Sequence, residues 1–378
     1  MGERVKIIPR RGYLLLFTGI FIGIILSYMI FSIYSSKTIT SGGIPKNIEI
    51  TFLYSSEKQG WLEEVTPIFE EKFYRNYGIR VKVNLLPAGT HESINLIIHG
   101  SVKPTIWSPA SSIWIPYLNY IWEKEHGSKI ADEWYPLVIS PIVIAGWKSM
   151  VDRYNISGFK SLYILAKQGV DFKWGHPDPQ LSNGGTMTVL LEFAEIIGKP
   201  PDKITVDDLN NETVIEMVKL IESKAVAYGK STGFFGAWAV DNGPEAISFF
   251  GVYENIVIDN SYRAYKKWND RLVAVYPSFG TILSDHPLVL INASWVDPYQ
   301  KLVALQYLSF LLQPEIQLMA QKHGFRPVNP TVNLNTTIFS AKNGVLYKLN
   351  IPIFSPPRGE VLEALFKIWE KVRNPGAG

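Results

Sequence analysis

Residues 48–112 read IEITFLYSSEKQGWLEEVTPIFEEKFYRNYGIRVKVNLLPAGTHESINLIIHGSVKPTIWSPASS. Ile48–Leu53 is a β-branched, apolar run that ends at Tyr54-Ser55-Ser56. Beyond it Trp61, Leu62, Val65, Ile68, Phe69, Phe73 and Tyr77 recur at three and four, the spacing of one helical face, and Gly78 fits the stop. Ile79–Leu86 alternates like a strand until Pro87–Thr90 breaks it, and His91–His99 follows as a short helix. Pro104–Trp107 is a brief strand, and a helix runs from Ser112 to Lys124. Strands alternating with helices predict a parallel sheet covered on both faces. Right-handed crossovers put the loops after each strand on one edge, where ligands bind in open α/β sheets. The loops there are Tyr54-Ser55-Ser56, Pro87–Thr90 and Ser108–Ser112, each leading into a helix whose first N–H groups are free. Any one serine reads as a helix cap; together they suit a polar or anionic small ligand.

Toward the C-terminus, Tyr135–Trp147 (YPLVISPIVIAGW) is apolar and β-rich and reads as a segment crossing between lobes. A second lobe is expected over 141–277, with 48–140 and 278–378 forming the first. In the second, Gly184-Gly185-Thr186 opens a helix through Ile197, Thr213–Lys224 is another helix, and Phe249–Tyr253 and Leu272–Tyr276 are strands. His286–Ala293 is the return strand, Val303–Gly324 is helical, and Val361–Val372 is an amphipathic closing helix.

Toward the N-terminus, Tyr13–Tyr34 (YLLLFTGIFIGIILSYMIFSIY) carries no charge. As a helix it covers roughly 33 Å, enough for a bilayer core. Arg4, Lys6, Arg10 and Arg11 against Glu3 precede it and account for the whole formal excess of +3. The positive-inside rule then expects residues 1–12 in the cytoplasm, 13–34 as a single-pass anchor, 35–47 (SSKTITSGGIPKN) as a tether, and the body outside the cell. A cleaved signal peptide is the alternative, although the apolar run is long for one and no clear cleavage site follows. The sequons at Asn155, Asn211, Asn292 and Asn335 are compatible with that topology.

At 47% apolar and 19% charged residues the chain is too hydrophobic to be disordered, and its neutral body argues against nucleic-acid binding. With no cysteine, disulfides, Cys-based zinc sites and thiol catalysis are excluded. The six histidines have no metal-binding spacing and read as ordinary surface or loop residues; no cofactor is expected. Gly229–Gly233 (GKSTG) fits G-x-S-x-G, but a hydrolase elbow needs a preceding strand and a helix is expected there.

Five stretches taken in order carry a resemblance. They are Tyr54-Ser55-Ser56; Trp107–Ser112; Ser182–Thr186; Tyr253-Glu254-Asn255; and Val275-Tyr276-Pro277 with Gly280-Thr281, followed by Gly324–Pro327. The exported body resembles the extracellular solute-binding proteins of ABC transporters, of the type-2 periplasmic-binding-protein fold. The resemblance implies an α/β, two-lobed molecule with mostly parallel sheets, here with one N-terminal transmembrane helix. It implies a monomer that captures a small polar solute, an oxyanion or small organic ligand, between its lobes and delivers it to an ABC transporter permease. The matching positions are Ser55, Ser56 and Ser108 from the first lobe and Asn183, Gly184 and Thr186 from the second, with Tyr253 and Tyr276 near the hinge. Glu254 is the awkward one: facing the cleft, its carboxylate would repel an oxyanion and favour an amine, hydroxyl or metal. Two other functions compete: an interaction or adhesion protein on the same fold, and a surface hydrolase using Ser231, which requires His and Asp within reach of that serine.

Overall fold

The computed structural model describes residues 45–377. The cytoplasmic N-terminus, the anchor at 13–34 and most of the tether lie outside the described residues, among which no helix is long and apolar enough to cross a membrane. Among the described residues thirteen strands follow in chain order. In the first part are β1 (Asn47–Ser55), β2 (Arg80–Ala88), β3 (Ile106–Ser108), β4 (Glu133–Pro136) and β5 (Val138–Trp147). Next come β6 (Trp174–Pro177), β7 (Ala225–Gly229), β8 (Phe249–Tyr253) and β9 (Leu272–Val275). The last are β10 (Thr281–Ser284), β11 (Pro287–Leu290), β12 (Arg326–Pro327) and β13 (Ile353–Phe354).

The first five elements behave as their local pattern dictates. β1 pairs in parallel with β2 and with β3. The helix Gln59–Tyr77 between β1 and β2 stops at Gly78, whose φ of 67° is the left-handed value glycine tolerates. Successive β1 side chains face opposite ways. Phe52 packs with Trp61, Phe69 and Tyr307 on one side of the sheet, while Leu53 joins Trp107 and Trp114 on the other.

The sheets are mixed, not mostly parallel. The first sheet has the order β2-β1-β3-β11-β4, and β11 runs antiparallel to both β3 and β4. The chain re-enters this sheet after traversing the second lobe, so β11 comes in from the opposite end. β5 is the long crossing strand, buried at every position except Ile139. Its start pairs with β12, its middle with β10, and its end with β8 and β9, all antiparallel. β5 outbound and β10–β11 inbound thus link the two lobes. β6 and β7 form a parallel pair in the second lobe.

Three further expectations change. Val303–Gly324 divides into Pro298–Leu311 and Pro314–Lys322, because a proline inside one continuous helix would cost a hydrogen bond. The closing helix Gly359–Val372, counted with the first lobe, packs its apolar face on the second: Trp369 sits on His176 and Tyr228, and Asn374 bonds the Ala225 carbonyl. A strand, not a helix, leads into Gly229–Gly233: the helix Glu212–Glu222 ends early and β7 follows.

Candidate functional site

The two lobes touch along a polar seam. Ser56 Oγ donates to Ser231 Oγ at 2.7 Å and accepts the Gly233 N–H at 3.1 Å. Asn255 Nδ2 donates to the Glu57 carbonyl at 3.4 Å, and Trp114 Nε1 to Asn183 Oδ1 at 2.7 Å. The second-lobe partners Asn183, Gly233 and Asn255 are all within the first two residues of a helix, at Asn183–Ile197, Thr232–Asn242 and Glu254–Trp268. Three positive helix ends therefore face the loops that close β1 and β3. The fit is tight: a Cβ on Gly233 would stand 2.7 Å from the Ser56 carbonyl carbon, and one on Gly89 2.6 Å from the Leu181 oxygen.

Behind the seam lies a buried charged group that the sequence reading did not single out. Glu57 and Lys58 follow Ser56 in a single 3-10 turn and are buried along with His286. Lys58 Nζ lies 3.4 Å from Glu57 Oε1, hydrogen-bonds Ser55 and approaches the Pro109 carbonyl at 3.5 Å. His286 Nδ1 sits 3.0 Å from Glu57 Oε1. Burial opposes charge on Glu57, but Lys58, the His286 hydrogen bond and Ser55 outweigh it and hold the carboxyl down at about 2. Burial pulls Lys58 down to about 8 against the attraction of Glu57, so both remain ionised at neutral pH. Burial and then the Lys58 charge push His286 down, leaving it neutral. The contact with an ionised carboxylate puts its single proton on Nδ1 and leaves Nε2 as an acceptor. His286 also holds a φ of 39°, an uncommon strained value for a residue other than glycine. Three buried atoms here have no hydrogen-bond partner among the described residues: Ser108 Oγ, His286 Nε2 and Asn255 Oδ1.

The residues named from the sequence divide into two groups. Ser55, Ser56, Ser108, Asn183 and Tyr253 are buried at or beside the seam, with Asn183 Nδ2 donating to Tyr253 OH at 2.7 Å and to Ser284 Oγ at 3.2 Å. The rest serve the frame. Thr186 donates to the Pro179 and Ser182 carbonyls at the start of its own helix. Gly184 allows close packing against Thr232. Glu254 is gripped by Arg326 in a two-pronged bond of 2.7 and 2.8 Å and accepts from Tyr276 OH. That trio ties β12, the start of the helix Glu254–Trp268 and the residue after β9 together, so Glu254 turns its charge to Arg326. Ser111 caps the turn after it, as expected.

The histidine reading needs correction. His91, His176 and His286 are buried, each drawn inside by packing from elements distant in sequence. Ser231 shares its hydroxyl with Ser56, and among the described residues no histidine hydrogen-bonds it, so the hydrolase arrangement is not formed. Asn255 lay in the Tyr253-Glu254-Asn255 stretch without being named as a site residue, while Lys58 and His286 left no local signal: a charge opening a helix looks solvated until another lobe covers it.

A family model for bacterial extracellular solute-binding proteins matches residues 50–326. No match emerges among curated protein sequences. Solved structures give the fold. The chain is similar to a periplasmic thiamin binding protein at 14% identity and a TM-score of 0.62, covering 88% of this chain and 100% of that one. It is similar to the sulfate-binding protein SubI from Mycobacterium tuberculosis H37Rv at 17% identity and a TM-score of 0.55, covering 86% and 98%. It is also similar to the periplasmic binding protein AfuA from Actinobacillus pleuropneumoniae, with fructose-6-phosphate bound, at 12% identity and a TM-score of 0.57, covering 86% and 98%. Two mixed-sheet lobes joined by crossing strands, and a family match spanning the seam from β1 to β12, make the chain a member of the bacterial extracellular solute-binding proteins.

Proposed function

We propose that this chain is a receptor, tethered by Tyr13–Tyr34 with its body outside the cell, that closes on a small polar solute and presents it to an ABC importer permease. The observation that carries the reading is the seam itself, where helix starts of one lobe meet serine loops of the other around buried atoms that lack partners. Solute-binding proteins close by hinge motion about such crossing strands. The polar seam at Ser56, Ser231, Gly233 and Asn255 supports capture; the aromatic contact of Phe366 with His91 and Trp114, beside the Trp114–Asn183 bond, is the feature the interaction-protein reading would draw on.

The unpartnered atoms also favour a class of solute. His286 Nε2 and Asn255 Oδ1 are acceptors on side chains whose other polar atoms contact Glu57, and Ser108 Oγ can accept as well as donate. A solute offering hydroxyl or amine N–H groups satisfies them; an oxyanion brings acceptors to two atoms that are themselves acceptors. The neighbours bind thiamin, sulfate or a sugar phosphate, so the fold leaves the chemistry open. A thermal-shift panel of polyols, amines, sugars and oxyanions tests the reading. At a hundredfold excess over Kd, a bound solute adds about 2.7 kcal/mol to the folded state. A shift from a hydroxyl- or amine-bearing solute supports the proposal; a shift from oxyanions alone overturns the class, and no shift across the panel overturns the receptor.

A further inference from the structure

Away from the seam, the second-lobe core holds a second ionisable group of residues that solute capture does not use. His176 on β6, Glu192 on the helix Asn183–Ile197 and Glu222 at the end of the helix Glu212–Glu222 are all buried. One ligand atom from each lies within 4.8 Å of the other two. His176 Nδ1 donates to the Pro177 carbonyl at 2.7 Å, so Nε2 is the ring atom left to face a ligand. It faces both Glu222 oxygens, at 3.2 and 3.3 Å. A metal ion there would take the place of a proton shared between Nε2 and Glu222. Neither oxygen of Glu192 has a hydrogen-bond partner of normal geometry among the described residues, although the side chain is wholly buried.

We propose that His176, Glu192 and Glu222 form a structural zinc site that fastens the closing helix to the second lobe. Zinc bonds of about 2.0–2.2 Å at tetrahedral angles place ligand atoms about 3.3–3.6 Å apart, close to the His176–Glu222 spacing already present, and Glu222, whose two oxygens both face Nε2, would supply the fourth bond by binding through both. Two carboxylates and a neutral imidazole around one divalent ion leave no net charge in the core. One imidazole nitrogen with carboxylate oxygens suits zinc among the common ions. The outer partners are those a metal ligand uses: the Pro177 carbonyl orients His176, while Trp174 Nε1 at 3.1 Å and Tyr228 OH at 2.7 Å donate to Glu222. Tyr228 OH in turn accepts the Asn374 N–H at 2.9 Å, and Trp369 packs 5.4 Å from the His176 ring. The metal therefore anchors the same residues that seat Gly359–Val372.

Elemental analysis of the full chain, purified without added metal or chelator, is expected to give about one zinc per chain. After unfolding and refolding, the protein regains its Tm in zinc but melts lower in chelator, and refolding in cobalt gives visible absorption of a nitrogen–oxygen site. Glu192→Gln and His176→Ala lose the metal. The competing arrangement is a proton held by Glu192 against Glu222, for which Glu192→Gln is a near-perfect mimic. A wild-type chain without metal whose refolding and Tm ignore zinc and chelator, with Glu192→Gln melting as wild type, overturns the proposal. The wild-type measurements stand even if His176→Ala fails to fold.

Discussion

Replacing Gly233 with alanine separates closure of the lobes from their own stability. Gly233 lies in the helix Thr232–Asn242, and its missing side chain leaves room for Ser56 of the other lobe. The added methyl would meet the Ser56 carbonyl carbon at 2.7 Å, with the Ser56 oxygen and Glu57 nitrogen at 2.8 Å; ordinary contact begins at 3.4 Å. The seam must open by roughly 0.6–0.7 Å to accept it, since all three neighbours are backbone atoms. The 2.7 Å Ser56–Ser231 bond and the 3.1 Å Gly233–Ser56 bond then lengthen to about 3.3–3.4 and 3.7–3.8 Å, which weakens the first to a marginal contact and breaks the second. Breaking one and weakening the other, at about 0.5–1.5 kcal/mol for a full bond, weakens closure by up to about 3 kcal/mol, at most roughly a 150-fold change in the closed-to-open ratio. Within the second lobe the sign is opposite, because alanine is the better helix former by up to about 1 kcal/mol. Because the chain has no cysteine, Glu125→Cys and Lys219→Cys give unique label sites, one exposed position per lobe. Distance measurements between them should show the short-distance population falling in Gly233→Ala while the Tm stays level or rises. An unchanged distance distribution would refute the reasoning, and so would a large drop in Tm with closure intact.

Two further outcomes follow from charges that cross the lobes or the hinge. His323, at the end of the helix Pro314–Lys322, reaches Glu64 at 2.7 Å in the first lobe and Asp259 at 3.2 Å in the second, with Lys322 also near Glu64 at 3.9 Å. Burial alone would lower its pKa, but the hydrogen bonds and charges of Asp259 and Glu64 prevail and raise it. The stabilisation is therefore full below the unfolded value of about 6.5 and is lost as pH rises through the higher folded value. A Tm–pH series should show wild type losing its advantage over His323→Gln across that window, modestly because both carboxylates are over a third exposed; a constant difference up to pH 9 contradicts the assignment. Arg326→Ala strands the buried Glu254 carboxylate and should cost about 3–5 kcal/mol in denaturant unfolding, with Arg326→Lys in between because it lacks the fork. A loss for Arg326→Ala below about 1 kcal/mol would mean the trio does not hold the hinge.

The local alternation over 48–126 was legible because each element there is decided by its own periodicity: Phe52 and Leu53 already imply two faces, and Gly78 a helix stop. What joins elements was harder to see. Ser56 meets Ser231 across 175 residues, and nothing near either serine announces the other. Glu57 and Lys58 look like solvent charges at a helix start; closure by the helices Thr232–Asn242 and Glu254–Trp268 and the position of His286 makes them interior. β7 was missed because Ala225–Gly229 (AVAYG) is short and small-residued and follows a strong helical pattern without a breaker. The direction of β11 depends on the chain's route through the other lobe, which no window of residues contains. The Glu254 question was open for the same reason: its partner Arg326 lies 72 positions on.

The last helix has a consequence for how the molecule behaves when it lets go of its cargo. Phe366 rides with the second lobe, yet its ring stands 5.4 Å from His91 and 6.2 Å from Trp114, both of the first lobe. Separating the halves uncovers this aromatic trio. The empty, gaping form is thus the greasier one: it should bind a dye such as ANS and stick to neighbours, whereas the loaded form hides that surface.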